Sequence, residues 1–308
     1  MPPKICAPRF WTGLAAVLAA LVIGFSAANL LIPNWGVTPA ERSLTLPGDE
    51  FITSPLMEWN HAITINAPPE QVWPWLIQMG DTRGGFYSYM WIEKATNAAF
   101  GVPFADAYNN ANAIHSEWQN PEIGQGMILD ALVLRQYERN SYVLAGPGPD
   151  ANDTGLFWGW YLRPIGDGRT RLLVRMAIQI PGMEANPVIG AAMNLLTFMM
   201  ERKMMTGIKL RAEGGSEAPW VQTAELMVGL MALFVGLVAA RRFVTRPDWK
   251  FPLLVGLGAV AALFVMIYVQ PALWARILID LVLIAALEKE MIVNTLRARR
   301  AGLAPQGG

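Results

Sequence analysis

The segment Phe10–Ile32, FWTGLAAVLAALVIGFSAANLLI, determines how the rest of this 308-residue chain has to be organised. A run of about 18 or more mostly apolar residues is long enough to cross the hydrocarbon core of a bilayer as a helix. Further apolar runs follow near the other end of the chain, at Trp220–Ala240, Phe251–Val269 and Ala272–Leu287. We therefore predict a membrane protein with four transmembrane helices and a polar domain between the first and the second.

The composition excludes several classes of function. Hydrophobic residues make up 53% of the chain and charged residues 16%, as expected when a globular domain is joined to membrane helices. The polar segment has more acidic than basic side chains and no basic stripe, which argues against a nucleic-acid partner. Cys6 is the only cysteine, so neither an intramolecular disulfide nor a thiolate metal cluster is possible.

The distribution of basic residues predicts the orientation in the membrane, because lysine and arginine collect on the cytoplasmic side. With four spans, three basic clusters fall on one side: Lys4 with Arg9, then Arg241, Arg242, Arg246 and Lys250, and finally Arg297, Arg299 and Arg300. This predicts a multi-pass plasma (inner) membrane protein with both termini in the cytoplasm and an extracytoplasmic polar domain. The first apolar run could instead be a cleaved secretory signal, although its length favours an uncleaved anchor.

The chain therefore divides into consecutive predicted parts. Residues 1–32 form an N-terminal transmembrane anchor, and residues 33–56, rich in proline and glycine, form an extended linker. Residues 57–215 form the polar domain. Residues 219–300 form a three-helix transmembrane region, which a cytoplasmic tail follows to residue 308.

The last apolar run contains two charged residues, Arg276 and Asp280, four positions apart on one helical face. Charges inside a membrane helix are costly and usually pair. We predict an ion pair that fixes helix packing; the alternative, an ion or proton path, would need more than one such pair.

The polar domain has an α+β pattern. Met57–Asn66 alternates between apolar and polar residues like a half-buried strand, and a helix opening at Pro68 and a second helix at Phe86–Asn97 follow it. Short strands with turn signals fill Met127–Ile180, and a long helix runs from Asn186 to about Ala212. This order predicts an antiparallel sheet with a long C-terminal helix, and such an arrangement leaves room for a cavity between the two.

Segments of the polar domain resemble the SRPBCC superfamily of START-like, helix-grip proteins. They are Ile63–Gly80 (ITINAPPEQVWPWLIQMG), Thr82–Glu93 (TRGGFYSYMWIE) and Phe198–Glu213 (FMMERKMMTGIKLRAE). The resemblance covers about Met57–Glu213 and indicates a membrane-anchored, uncharacterised branch. It implies a curved sheet around the C-terminal helix and a cavity for a hydrophobic ligand. Known members include lipid-transfer domains and polyketide cyclases and dehydratases.

The chain departs from the pattern of this branch at two positions. Met90 stands where an acidic residue is expected, and Gln125 stands where the pattern has Gly-Asp. Both changes remove a carboxylate, so acid–base chemistry at these positions is in doubt.

Candidate ligand-binding residues come from the predicted strands and helices. Trp158 and Trp160 share one strand face, and Met193, Met200 and Met204 form a stripe along the long helix. Both the tryptophans and the methionines could equally well be ordinary core residues that do not contact a ligand. A polar end of the cavity would come from the following side chains near the second helix: Arg83, Tyr87, Tyr89 and Glu93.

The domain has few groups for catalysis. Two histidines, His61 and His115, cannot by themselves supply a metal site, so we predict neither a metal nor a cofactor. The leading hypothesis is a domain that binds or shuttles a hydrophobic small molecule such as a lipid at the bilayer. The alternatives are a cyclase or dehydratase that uses Tyr87, Glu93 or His115 for proton transfer, and a structural or assembly protein without a ligand.

Overall fold

The computed structural model describes residues 8–92, 111–128, 132–148, 155–180, 182, 187–246 and 249–302. The chain forms two compact units. One comprises Met1–Ala27 together with Trp220–Gly308, and the other is Ala28–Pro219. The second is called the polar unit below and the first the helical unit.

The polar unit is built from antiparallel strands and a few helices, so its class is α+β, as predicted. Its strands are β1 (Met57–Ile65), β2 (Gly126–Ile128), β3 (Leu132–Glu138), β4 (Tyr142–Gly146), β5 (Gly155–Pro164) and β6 (Thr170–Gln179). The helices of the chain up to the end of this unit are α1 (Pro8–Leu31), the short α2 (Pro39–Arg42), α3 (Pro69–Ile77) and α4 (Pro187–Ala212).

The strands form one six-stranded open sheet in the order β1-β6-β5-β4-β3-β2. Every neighbouring pair is antiparallel. Consecutive strands are neighbours from β2 to β6, and β1 pairs with the other side of β6 to form an edge strand of the sheet. Because side chains alternate between the faces of each strand, the sheet presents two apolar faces that need cover.

The first face is covered by α3 and α4. The main apolar core contains Trp73 and Leu76 of α3, Met205 and Ile208 of α4, and Trp160 of β5, all of them almost completely buried. Pro69 at the start of α3 suits its first turn, where the missing N–H has no helical partner anyway. The space between α4 and the sheet is where the site described below lies.

The second face is covered by residues 33–56, which the sequence analysis predicted to be an extended linker. Val37, Leu44, Leu46 and Phe51 pack there against a second core that includes Phe157. The segment contains α2 and short 3-10 turns, and it forms ion pairs with the sheet. The segment predicted as an extended linker thus packs against the sheet, because the apolar residues on this face of the sheet need a cover.

The predicted second helix differs from the structure at its start. Phe86–Tyr89 is not helical, and the described helical residues begin at Met90. Tyr87 has a φ of 56°, in the left-handed region that non-glycine residues rarely adopt. Side-chain directions inferred from a helix at Phe86 therefore do not hold, and Glu93 lies outside the described residues.

The helical unit contains α1 as far as Ala27, nearly all of α5 (Pro219–Thr245), α6 (Lys250–Phe264, continued by a π-helical turn at Val265–Val269) and α7 (Leu273–Gly302). Within the described ranges, three helical segments are long and apolar enough to cross a membrane: Trp11–Asn34, Pro219–Thr245 and Lys250–Val269. The predicted fourth span, Ala272–Leu287, is not among them, because it forms part of the 30-residue, charge-containing α7.

The charged residues of α7 pair differently from the prediction. Arg276 Nη2 lies 3.3 Å from Glu225 Oε1 of α5, and Arg276 Nε donates to the carbonyl oxygen of Pro271 at 2.8 Å. Asp280 is buried, and its Oδ1 has no hydrogen-bond partner in the described part of the chain. The ion pair thus links α7 to α5 and does not join two residues of α7.

Candidate functional site

A cavity of about 240 Å³ lies between α4 and the first face of the sheet. Its lining comes from several elements of the polar unit and is almost entirely apolar or aromatic. The described lining residues are Phe86, Ile92, Ile128, Leu156, Trp158, Met176, Thr197, Met200, Glu201 and Met204.

The regular spacing of these residues explains how they meet. Thr197, Met200, Glu201 and Met204 follow the i, i+3, i+4, i+7 spacing of one helix face, so they lie along one side of α4. On the sheet, Leu156 and Trp158 share a face of β5, and Met176 of β6 is the direct register partner of Trp158. The cavity therefore arises where a methionine-rich helix face lies over large strand residues.

Glu201 is the one ionisable residue in this described lining, and it is 1% exposed. Its Oε1 accepts a hydrogen bond from the indole N–H of Trp158 at 2.8 Å. Its Oε2 contacts Nδ1 of the equally buried His61 on β1, and His61 Nε2 lies 2.9 Å from the carbonyl oxygen of Ile32. Glu201 thus ties α4 to two strands of the sheet and, through His61, to the segment that precedes them.

The contacts fix the number of protons that this pair holds. The carbonyl of Ile32 can only accept, so His61 Nε2 carries a hydrogen. His61 Nδ1 and Glu201 Oε2 then share one proton, which makes them either imidazolium and carboxylate or neutral imidazole and carboxylic acid. Both arrangements have zero net charge, which is the condition under which such a pair tolerates burial.

The cavity includes some of the predicted ligand-binding residues and not others. Trp158, Met200 and Met204 are part of its lining. Trp160 is fully buried in the core with its ring centroid 5.0 Å from that of Trp158, and it is not part of the lining. Met193 is half-buried on α4, outside the lining.

Arg83 and Tyr87, predicted as a polar end of the cavity, lie in a separate buried cluster. Arg83 donates to the carbonyl oxygens of Ile77 at 3.3 Å and Met79 at 2.7 Å, where α3 ends. The Tyr87 hydroxyl donates to the Trp75 carbonyl at 2.9 Å. Burial lowers the pKa of Arg83 and raises the pKa of Tyr87. These contacts hold together the end of α3 and the turn after it.

The remaining predicted residues also lie away from the described lining. Tyr89 is buried, with Lys203 Nζ 5.7 Å from its ring centroid. His115 is partly exposed, with its Nδ1 3.3 Å from Glu117 Oε1 and its ring 4.2 Å from that of Trp118. Glu93, as noted, belongs to no described range.

Sequence reasoning missed Glu201 as the polar group of the cavity. A signal was present: Glu201 follows Met200 within the stripe that Met193, Met200 and Met204 form. A charged residue on an otherwise apolar helix face is either paired or functional. Only the fold shows that His61 and Trp158 are its partners.

Comparisons with known proteins give no family for this chain: no protein-family model and no curated protein matches it. Solved structures that align with it include a conserved protein of unknown function from Enterococcus faecalis, with 11% identity over 53% of this chain and 75% of that one. Another is a protein from Nitrosospira multiformis, with 14% identity over 49% and 93%. Both have a TM-score of 0.26, too low to support an inference about fold or function.

Proposed function

We propose that the polar unit binds a hydrophobic small molecule in the cavity beneath α4. The observation that carries the proposal is a space of about 240 Å³ whose described lining is mostly apolar and includes one ionisable side chain, because ligand sites are mostly apolar with a few placed polar groups. The proposal agrees with the resemblance to START-like, helix-grip domains, in which the ligand lies under the C-terminal helix.

The size of the cavity narrows the class of ligand. An engineered apolar cavity of about 150 Å³ in another protein accommodates benzene. In proportion, 240 Å³ holds roughly ten non-hydrogen atoms. That suits a molecule of one or two rings or a short chain, or one part of a longer lipid. A whole two-chain phospholipid is too large for the cavity as the described residues bound it.

The apolar helices support a role at a bilayer, where hydrophobic molecules accumulate. We propose the arrangement that the basic clusters favour: α7 crosses as a fourth span, both termini are cytoplasmic and the polar unit is extracytoplasmic. The Arg276–Glu225 pair supports placing α7 beside α5, because a charge within a membrane helix needs a partner. In this arrangement the protein takes up or delivers its ligand at the outer face of the inner membrane.

The alternative functions have less support. A cyclase or dehydratase that uses Tyr87 or His115 would need these side chains at the cavity, and neither is part of its described lining. A purely structural role would have a filled interior, whereas a cavity remains beside Trp158. Ligand binding accounts for both the space and its composition.

The proposal is tested by filling the cavity. Met200→Trp places a larger side chain in the lining, while Met193→Trp makes the same change two helical turns earlier, outside it. Full-length protein in detergent is dialysed against radiolabelled 2-naphthol, and protein-free micelles give the background. We expect saturable binding to the wild type and to Met193→Trp, and at least tenfold weaker binding to Met200→Trp.

Extraction of apolar compounds from the purified wild type, followed by mass spectrometry, gives an independent reading. If neither saturable binding nor a copurified ligand is found, the proposal is wrong. Equal binding to both variants would place the ligand elsewhere and would also contradict it.

A further inference from the structure

We propose, building on the function above, that Glu201 selects ligands that carry a neutral hydrogen-bond donor, above all a hydroxyl group. The ligand class is then a compact hydrophobic alcohol or phenol whose hydroxyl lies against the Glu201 carboxylate. The juxtaposition that supports this is a buried carboxyl group in a cavity wall whose other described residues are apolar except for Thr197, with the hydrogen-bonding capacity of the carboxyl group only partly used.

Glu201 has more acceptor sites than its protein partners use. Each oxygen of Glu201 has one protein partner, Trp158 at Oε1 and His61 at Oε2. A carboxylate has about four lone-pair sites, so acceptor capacity remains. The donors of the network are all engaged, because the Trp158 N–H bonds Glu201, the His61 Nε2–H bonds Ile32, and the shared proton lies between His61 and Glu201. The network therefore offers the ligand acceptors and no donor.

The charge balance of the site favours a neutral ligand. The pair of His61 and Glu201 has zero net charge wherever its shared proton lies. A cationic amine would bring an uncompensated charge into a mostly apolar space, which is strongly unfavourable. A carboxylate ligand would bring an uncompensated negative charge beside Glu201. A neutral hydrogen-bond donor adds no charge, so neither unfavourable effect applies to it.

Thr197 is the other polar side chain among the described lining residues. It lies one helical turn before Glu201 on the same face of α4. A threonine hydroxyl can donate as well as accept. A ligand hydroxyl, which also has both capacities, can use the two residues together, whereas an N–H group uses only the acceptor.

The test compares probes of matched shape on the full-length protein in detergent. 2-Naphthol and 2-methylnaphthalene have the same number of non-hydrogen atoms, but only 2-naphthol has a donor. 2-Naphthaldehyde has an acceptor and no donor. Free concentrations are measured, so that micelle partitioning cancels. We expect the wild type to bind 2-naphthol on the order of tenfold more tightly than either other probe, as one additional net hydrogen bond implies.

The decisive variant is Glu201→Gln. Its amide oxygen can still accept from Trp158 and its NH₂ can donate to His61 Nδ1, so the internal contacts survive. The second N–H of the amide is then free for the ligand, and we expect the preference to shift from 2-naphthol toward 2-naphthaldehyde. Glu117→Gln, a change at an exposed carboxylate, should keep the wild-type preference.

The outcomes separate this inference from the function on which it rests. A wild type that binds 2-naphthol and 2-methylnaphthalene equally overturns the selectivity while leaving the binding function intact. A preference for 2-naphthol that persists in Glu201→Gln assigns selectivity to another residue and also overturns it. If no probe binds to any variant, the binding function itself fails.

Discussion

Replacing Arg175 by methionine tests whether residues 33–56 are held firmly against the sheet. Arg175 lies on β6 opposite Asn60 of β1, and it is 7% exposed. Its Nε donates to Asn60 Oδ1 at 2.8 Å, and its Nη1 contacts both oxygens of Asp49 at 2.8 and 2.6 Å. It also donates to the carbonyl oxygens of Leu44 and Arg42, each at 3.1 Å. One side chain thus binds three parts of the segment.

The structure gives the size of the expected effect. Removing one partner of a buried ion pair costs about 3–5 kcal/mol, because the other partner loses its compensation. The Asp49 side chain is 28% exposed, so water can restore part of its solvation, and we take the lower value. A loss of about 3 kcal/mol lowers the melting temperature of a unit of this size by about 6–12 °C.

The assay is thermal unfolding of the full-length protein in detergent, followed by near-ultraviolet circular dichroism. Limited proteolysis should show earlier cleavage within residues 33–56 in Arg175→Met. Arg169→Met is the matched control, because Arg169 lies in the same hairpin, is 43% exposed and contacts Asp167 at 3.4 Å. Exposed pairs of this kind contribute about 0–1 kcal/mol. If the two variants melt and are cleaved alike, Arg175 does not hold the segment and the reasoning is refuted.

The other predictions concern helix packing and topology. Gly207→Ala on α4 should lower the melting temperature, because the added Cβ would lie 2.5 Å from the Tyr87 carbonyl oxygen. Gly190→Ala is the control: the nearest atom to its added Cβ lies at 3.9 Å, so this change should be neutral or stabilise the protein by about 0.5 kcal/mol. Equal melting temperatures of the two variants would contradict the close contact between Gly207 and Tyr87. After the single cysteine is replaced by serine, a cysteine at Glu138 should react with a membrane-impermeant maleimide in intact cells and one at Thr245 should not. The reverse pattern would overturn the proposed orientation.

The parts of the fold that the sequence predicted are those with regular periodicity. The alternation in Met57–Asn66 predicted β1, and the helix predicted from Asn186 to about Ala212 corresponds to α4. Length and hydropathy were sufficient for Pro219–Thr245 and Lys250–Val269, since a membrane helix is recognised by composition alone. Phe86–Tyr89 was predicted wrongly because tertiary packing holds it outside a helix, with Tyr87 at a positive φ.

The sequence by itself determined that apolar helices precede and follow a polar α+β segment along the chain, because hydropathy and periodicity are local properties of the chain. The tertiary structure decided what the polar residues do. His61, Trp158 and Glu201 are far apart in the sequence and meet only when β1, β5 and α4 pack together. In the same way, Arg175 meets Asp49 and Arg276 meets Glu225 across elements. A buried polar group needs a hydrogen-bonding partner, and the partner is whichever group the fold places beside it. The spacing of residues along the chain does not show which group that is.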